Sequence, residues 1–182
     1  MKKLIKKILY KINGRPDVEK LTSFGLEMGE NVHIGPHVII DDSHCWLISI
    51  GDECTLAPRV HILAHDASTK KHLGYTKIGR VSIGEKTFIG AGSIILPGVK
   101  IGENVIIGAG SVVSKDIPDN SVAVGNPASV VDETQNYINR QKNKMDGAPI
   151  YPIKGWTLSG GITAENREKM KESLKDKMGF VE

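Results

Sequence analysis

The chain has only two cysteines in 182 residues, Cys45 and Cys54. Their spacing matches neither a zinc-ligand pattern nor a disulfide framework, and unpaired thiols suit a reducing compartment. Long apolar runs are missing as well: no stretch approaches the roughly 20 residues needed to cross a bilayer. The beginning of the sequence shows neither the apolar core nor the cleavage site of a signal peptide, so a cytoplasmic protein is expected. Charge is scarcely one-sided. The net value is +3, with basic residues dispersed except at the two ends, which leaves no basic stripe for nucleic acid. Walker and Rossmann glycine patterns are absent, so nucleotides are not held by those routes. The length does allow a sizeable core, in one main domain with a small appendage.

What the sequence has instead is a period of six. Aliphatic residues stand at Ile83, Ile89, Ile95, Ile101, Ile107 and Val113 without a slip, and glycine follows four of these six. Weaker copies occur at Met28, Ile34 and Ile40, and again at Ile50, Leu56 and Ile62. Six is neither the 3.6 of a helix nor the 2 of a long strand; it requires a short strand and a turn in every repeat. Two positions before each aliphatic residue lies a small or β-branched one, such as Thr87, Ser93, Val99, Val105 and Ser111. Side chains alternate along a strand, so in Val105-Ile106-Ile107 the outer two face inward and Ile106 faces out. One hexad cannot bury its apolar face alone, whereas stacked coils share a continuous core.

This pattern resembles the hexapeptide-repeat acyltransferases, with the resemblance covering residues 28 to 130. It implies an all-β solenoid, a left-handed parallel β-helix with three hexads, or 18 residues, per triangular coil. On that coil size Phe88 stacks with Ile106, Ile94 with Val112, and Ser82 with Lys100. Two outer faces are then apolar and one is polar. Apolar stripes outside a solenoid mark contacts, in keeping with the homotrimers of the family, whose active sites lie between subunits.

The repeat fails from Ala64 to Lys77 and resumes at Ile78 to Ile83. An excursion loop of about a dozen residues is expected there, and breaks in solenoids often hold function. Removing a hydroxyl proton during attack on a thioester requires a base that works near neutral pH, for which imidazole is suited. His65 stands where the coil ends, and the resemblance to sugar and xenobiotic O-acetyltransferases implies that it is the catalytic base. Asp66 is adjacent but points away from His65, because neighbouring strand residues diverge; it is expected to contact the acceptor or brace the loop. His72 is a candidate for the acceptor pocket. His61, four positions before His65, invites comparison with the three-histidine zinc site of β-helical carbonic anhydrases. No spacing supplies a third ligand, so His61 is read as a wall of the site and no metal is expected. His33, His37 and His44 receive no role.

Acetyl-CoA, the co-substrate that the resemblance implies, has a candidate edge. Gly90-Ala91-Gly92 and Gly108-Ala109-Gly110 lie 18 apart and stack small residues on one corner, where a pantetheine arm can approach backbone. By motif match Ala91 supplies the oxyanion amide and Ala109 a pantetheine contact. The run Ser111-Val112-Val113-Ser114-Lys115 and the exit Val124-Gly125-Asn126-Pro127-Ala128 match the family's terminal coil, which implies nucleotide-end contacts from Ser114 and Lys115. Relatives commonly carry a basic residue shortly after this asparagine-proline corner. Here Ala128-Ser129-Val130-Val131-Asp132 follows, so the 3′-phosphate finds its charge elsewhere.

Residues 1–27 read as an N-terminal helical cap, residues 28–130 as the β-helix, and residues 131–182 as a helical extension with Thr163 as an N-cap. Residues 1–12 set Leu4, Ile5, Ile8, Leu9 and Ile12 on one helical face among lysines. That face suits capping the solenoid or, alternatively, touching an anionic membrane surface. Trp156 packs on the coil or covers the adenine. The function expected is acetyl transfer to a carbohydrate hydroxyl, in bacterial surface polysaccharide assembly. The alternatives are N-acetylation of a sugar nucleotide, O-acetylation of serine or a xenobiotic, a non-catalytic β-helical scaffold, and a zinc enzyme.

Overall fold

The computed structural model describes residues 14–182. The amphipathic stretch read at residues 1–12 lies outside the described residues. The described residues fall into two compact units, residues 14–134 and 135–182.

The first unit is a left-handed parallel β-helix. Each coil contributes one short strand to each of three parallel sheets. The first sheet stacks Glu27–Met28, Ile48–Ile50, Val81–Ile83 and Lys100–Ile101. The second contains His33–Ile34, Thr55–Leu56, Phe88–Ile89 and Ile106–Ile107, and closes with the antiparallel pair Ser121–Gly125 and Ala128–Glu133. The third stacks Ile39–Ile40, His61–Ile62, Ile94–Ile95 and Val112–Val113. Phe88 pairs with Ile106, Ile94 with Val112, and Ser82 with Lys100, the register that an 18-residue coil requires. The core is the column of inward aliphatics, including Leu56, Ile62, Ile89, Ile95 and Ile107, all fully buried.

The inward polar residues are satisfied at the corners. Thr87 Oγ1 donates to the Gly102 carbonyl at 3.0 Å and Ser93 Oγ to that of Gly108 at 3.0 Å. Small hydroxyl side chains therefore fit where a coil turns, because a backbone acceptor of the next coil lies within reach. Glycine serves two ends. A Cβ on Gly90 would lie 2.4 Å from the Ala109 amide nitrogen, so close stacking forbids a side chain there. Gly92, by contrast, has open space but a φ of +70°, the left-handed conformation that the turn needs. Both cysteines are free and buried.

The register breaks twice. Met28 pairs with Ile50 and Ile40 with Ile62, 22 positions apart; Ile50 pairs with Ile83 and Ile62 with Ile95, 33 apart. The larger insertion is the excursion expected after Ile62. It forms a short antiparallel pairing of His65–Asp66 with Lys77–Ile78, a 3-10 turn at Ala67–Thr69 and a helical turn at Lys70–Leu73. The smaller one, four residues beyond a regular coil, lies between Ile40 and Ile50, so the repeat already slips once before Ile62. Ile40 and Ile62 are register partners. The two insertions therefore leave the solenoid at the same corner, on successive coils.

Before the first coil, helix α1 (Val18–Ser23) is capped by Asp17, whose carboxylate accepts from the Lys20 amide at 3.2 Å. In the second unit, Ile150–Tyr151 pairs with Phe180–Val181. A helix there, Ala164–Ser173, begins at Thr163, whose Oγ1 accepts from the Asn166 amide at 3.1 Å. Trp156 packs on Tyr151, with ring centroids 4.7 Å apart.

Candidate active site

The corner that both insertions share gathers the chemistry. Asp41 follows Ile40 directly and is 4 % exposed. Its Oδ1 accepts from the Ser43 amide at 3.0 Å and the His44 amide at 3.3 Å; its Oδ2 accepts from the Ala64 amide at 2.9 Å and lies 2.5 Å from His65 Nδ1. The carboxylate thus ties the start of one excursion to the start of the other. Burial alone would push the Asp41 carboxyl up, but the hydrogen bonds from His65, Ala64 and Ser43 outweigh it and hold the group below the usual carboxylate range. An ionised carboxylate on Nδ1 keeps the proton there and leaves Nε2 with a lone pair. The His65 side chain is 36 % exposed, so its ring is accessible while its partner is sealed.

Asp41 was not legible as a site residue by spacing to His65. The signal was the ten positions between Ile40 and Ile50, where hexads require six. His44, which received no role from the sequence, is another product of that slip: its ring lies 5.3 Å from that of His65, tilted by 43°. Asp41, His44 and His65 offer ligand atoms within 4.8 Å of one another, a cluster of metal-ligating types among the described residues. The four donors on Asp41, however, use its four lone-pair directions.

Asp66 faces a different partner. Its carboxylate lies 2.6 Å from Lys77 Nζ and accepts from the Ser68 amide at 2.8 Å. The lysine hydrogen bond, followed by that from Ser68, lowers its pKa to about 2. The group pins the two ends of the loop together. His72 lies exposed on helix α2 (Lys70–Leu73). His61 points outward between Ile39 and Ile94 in the third sheet. A cleft of about 490 Å³ opens beside the dyad, lined among others by Arg15, Asp17, Ile39, Asp42 and His65.

The residues read as coenzyme contacts divide between two corners. Ala91 and Ala109 stack where the second sheet turns into the third, since Ile89 pairs with Ile107 and Gly110 donates to the Ala91 carbonyl at 2.8 Å. Ser114 and Lys115 follow Val113 at the far end of the third sheet, the corner from which His65 emerges one register partner below Ile95. About five extended residues separate the two corners, on the order of 17 Å at roughly 3.3 Å per residue. One chain therefore does not bring His65 and the Ala91 amide together.

The bacterial transferase hexapeptide model (six repeats) matches residues 80–115. Protein CapG of Staphylococcus aureus is 39% identical over 145 residues, covering 75% of this chain and 81% of that protein. The galactoside O-acetyltransferase of Lactococcus lactis is 36% identical over 112 residues, 56% of this chain and 53% of that enzyme. Among solved structures, a hexapeptide-repeat acetyltransferase of Vibrio cholerae complexed with acetyl-coenzyme A matches with a TM-score of 0.53 and 26% identity over 58% of each chain.

The chain belongs to the hexapeptide-repeat acyltransferase family. As a member it is an acetyltransferase, and two features of its coils suit that chemistry. The Ala91 and Ala109 corner is exposed, and nothing stands within 4 Å of where a Cβ on Gly92 or Gly110 would lie, so a narrow ligand can run along backbone. Among the described residues no helix is long and apolar enough to cross a membrane.

Proposed function

We propose that the protein transfers the acetyl group of acetyl-CoA to a hydroxyl of a carbohydrate acceptor, with His65 as general base. The observation that carries this reading is the buried, ionised Asp41 on His65 Nδ1. In the proposed step His65 Nε2 takes the hydroxyl proton as the acceptor oxygen attacks the thioester carbonyl carbon. The tetrahedral oxyanion collapses, the C–S bond breaks, and the departing thiolate recovers the proton from Nε2. The products are an acetyl ester and free coenzyme. Asp41 keeps the imidazole in the competent tautomer and offsets the positive charge that it carries between the two transfers. The Ala91 amide receives the oxyanion, a contribution on the order of 3 kcal/mol for donors of this kind. Ala109 holds the pantetheine arm, and Ser114 and Lys115 the nucleotide end.

Because Ala91 and His65 occupy different corners of one chain, this assignment requires a second copy. The outer apolar residues of two sheets, with Phe88 43 % and Ile39 49 % exposed, supply a surface for it, and a closed trimer with shared sites fits. A carbohydrate acceptor is supported by the galactoside O-acetyltransferase among the relatives; in the mainly apolar cleft at the dyad, Asp17 and Asp42 offer acceptors for its hydroxyls. His72 is placed at the acceptor, whereas Asp66 is assigned to bracing the loop because Lys77 and Ser68 occupy its carboxylate. We place the reaction in bacterial surface polysaccharide modification, on the cytoplasmic side where acetyl-CoA is made. Thiol release from acetyl-CoA, screened against sugars, sugar nucleotides, serine and aminoglycosides, tests the acceptor class; turnover confined to amines or to serine overturns it. Light scattering tests the assembly, and a stable monomer would remove the shared site.

A second reading rests on the ligand geometry of Asp41, His44 and His65. An ion there would displace the His65 hydrogen bond, since the carboxylate is already fully used. The metal-free dyad is therefore preferred. Metal analysis of purified protein, with chelator treatment before assay, decides between them: activity lost with a stoichiometric ion and restored by it supports the metal.

A further inference from the structure

The smaller excursion adds two rings to that of His65, in successive contact. The His65 ring lies 5.3 Å from that of His44, and the His44 ring 5.4 Å from that of Trp46, tilted by 49°. His44 Nδ1 is buried without a hydrogen-bond partner among the described residues. A buried ring nitrogen left unpaired costs stability, so on that side the ring is held by its two aromatic neighbours. Trp46 is 54 % exposed. It is not displayed by a loose loop: Cys45 before it is fully buried, with its thiol 3.5 Å from the Leu21 carbonyl, and Ile48 after it is 1 % exposed. A 3-10 turn, Cys45–Leu47, thus fixes its backbone from both sides while the indole faces out. Maintaining a large aromatic face in water, one ring removed from the general base, serves no packing purpose within the chain.

From this arrangement we infer that Trp46, backed by His44, is the platform on which the acceptor sugar stacks, so that the series of rings sets which hydroxyl reaches His65. The inference rests on the carbohydrate reading given above. A pyranose presents a flat face of C–H groups on one side and hydroxyls around its edge. An indole matches that face by burying apolar area and by attraction between polarised C–H bonds and the π cloud. His65 is common to both surfaces: it ends the series of rings and lines the cleft. An acceptor that lies on the indole and extends past His44 therefore meets the base at its far edge. Trp46 is on this account a specificity-determining residue and takes no part in proton transfer.

The test uses the full-length protein with maltose and methyl β-galactoside as acceptors. Trp46→Ala is expected to raise KM for these sugars at least tenfold, with KM for acetyl-CoA and the slow hydrolysis of acetyl-CoA by water unchanged. Trp46→Phe should recover part of the loss. Because Trp46 and Trp156 are the only tryptophans, Trp156→Phe leaves Trp46 as sole reporter. Its emission should change on titration with either sugar, with Trp46→Ala in that background as the blank. Unaltered sugar KM in Trp46→Ala overturns the platform while leaving His65 as base. A change of oligomeric mass in Trp46→Ala overturns it too, by assigning the indole to a subunit contact. If the wild-type protein acetylates neither sugar but turns over serine or an aminoglycoside, the carbohydrate reading falls and takes the platform with it.

Discussion

Between Val81 and Val113 every strand finds its partner 18 positions away, and side chains stack like on like: Ile83 on Ile101, Ile89 on Ile107, Ile95 on Val113. At the corner after Ile40 and Ile62 the spacing becomes 22 and then 33. Aliphatic residues there give way to Asp41, His44 and His65. The regular coils bury apolar area with no titratable side chain in the core. The interrupted corner leaves titratable groups in contact, and there Asp41 and His65 satisfy each other. The contrast teaches that a solenoid with so repetitive a core places chemistry where it stops repeating. Two adjacent interruptions can build what one cannot, since Asp41 and His65 come from successive coils.

The comparison breaks if removing the His65 side chain destabilises the coils, or a change in the coils spares stability. The largest effect is expected for His65→Ala, with transfer slowed on the order of 10² to 10⁴-fold, acetyl-CoA affinity retained and melting temperature little changed; turnover assay, calorimetric titration and thermal melting check the three parts. Ile95→Ala, at a fully buried position, is expected to do the reverse. It should cost about 2 to 5 kcal/mol of stability, read by urea unfolding, with kcat preserved in the protein that remains folded. Gly90→Ala should cost about 1 to 3 kcal/mol, because its Cβ meets the Ala109 amide; the same unfolding experiment serves.

Two smaller effects sharpen the corner itself through pH. The Asp41 carboxyl is depressed in the folded protein, so its stabilisation is full above its ordinary value of 3.8 and is lost as pH falls through the lower folded value. Melting curves of wild type and Asp41→Asn should therefore differ most above pH 3.8 and converge in stronger acid. Asp66, depressed to about 2 by Lys77 and Ser68, follows the same sign: its contribution is present above 3.8 and disappears as pH falls through about 2. Its exposure confines the consequence to the loop. Asp66→Asn should leave the melting temperature unchanged at neutral pH and speed proteolytic cutting within residues 67–75.

The β-helix was legible in the sequence because its rule is local and repeated: each hexad carries its own inward pair and most a corner glycine, so Ile83 to Val113 determine the register unaided. His65 was legible by position, as the residue at which the longer interruption begins. Asp41 and His44 were not. The slip that places them is four residues long, hidden between two runs that each keep the period, and carboxylate and imidazole meet only after Ile40 is paired with Ile62. That pairing is a property of the stacked coils and of no segment alone. The division of Ala91 from His65 is of the same kind, since it depends on which corner each residue occupies.

The measurement that bears most directly on the corner is a double-mutant cycle on transfer rate, with Asp41→Asn, His65→Ala and the pair assayed together. If Asp41 acts by holding His65, Asp41→Asn slows the wild type by a factor of up to about 10⁴, and adding it to His65→Ala costs nothing more. If the double variant instead loses the full Asp41→Asn factor on top of His65→Ala, the two residues act independently and the dyad is refuted.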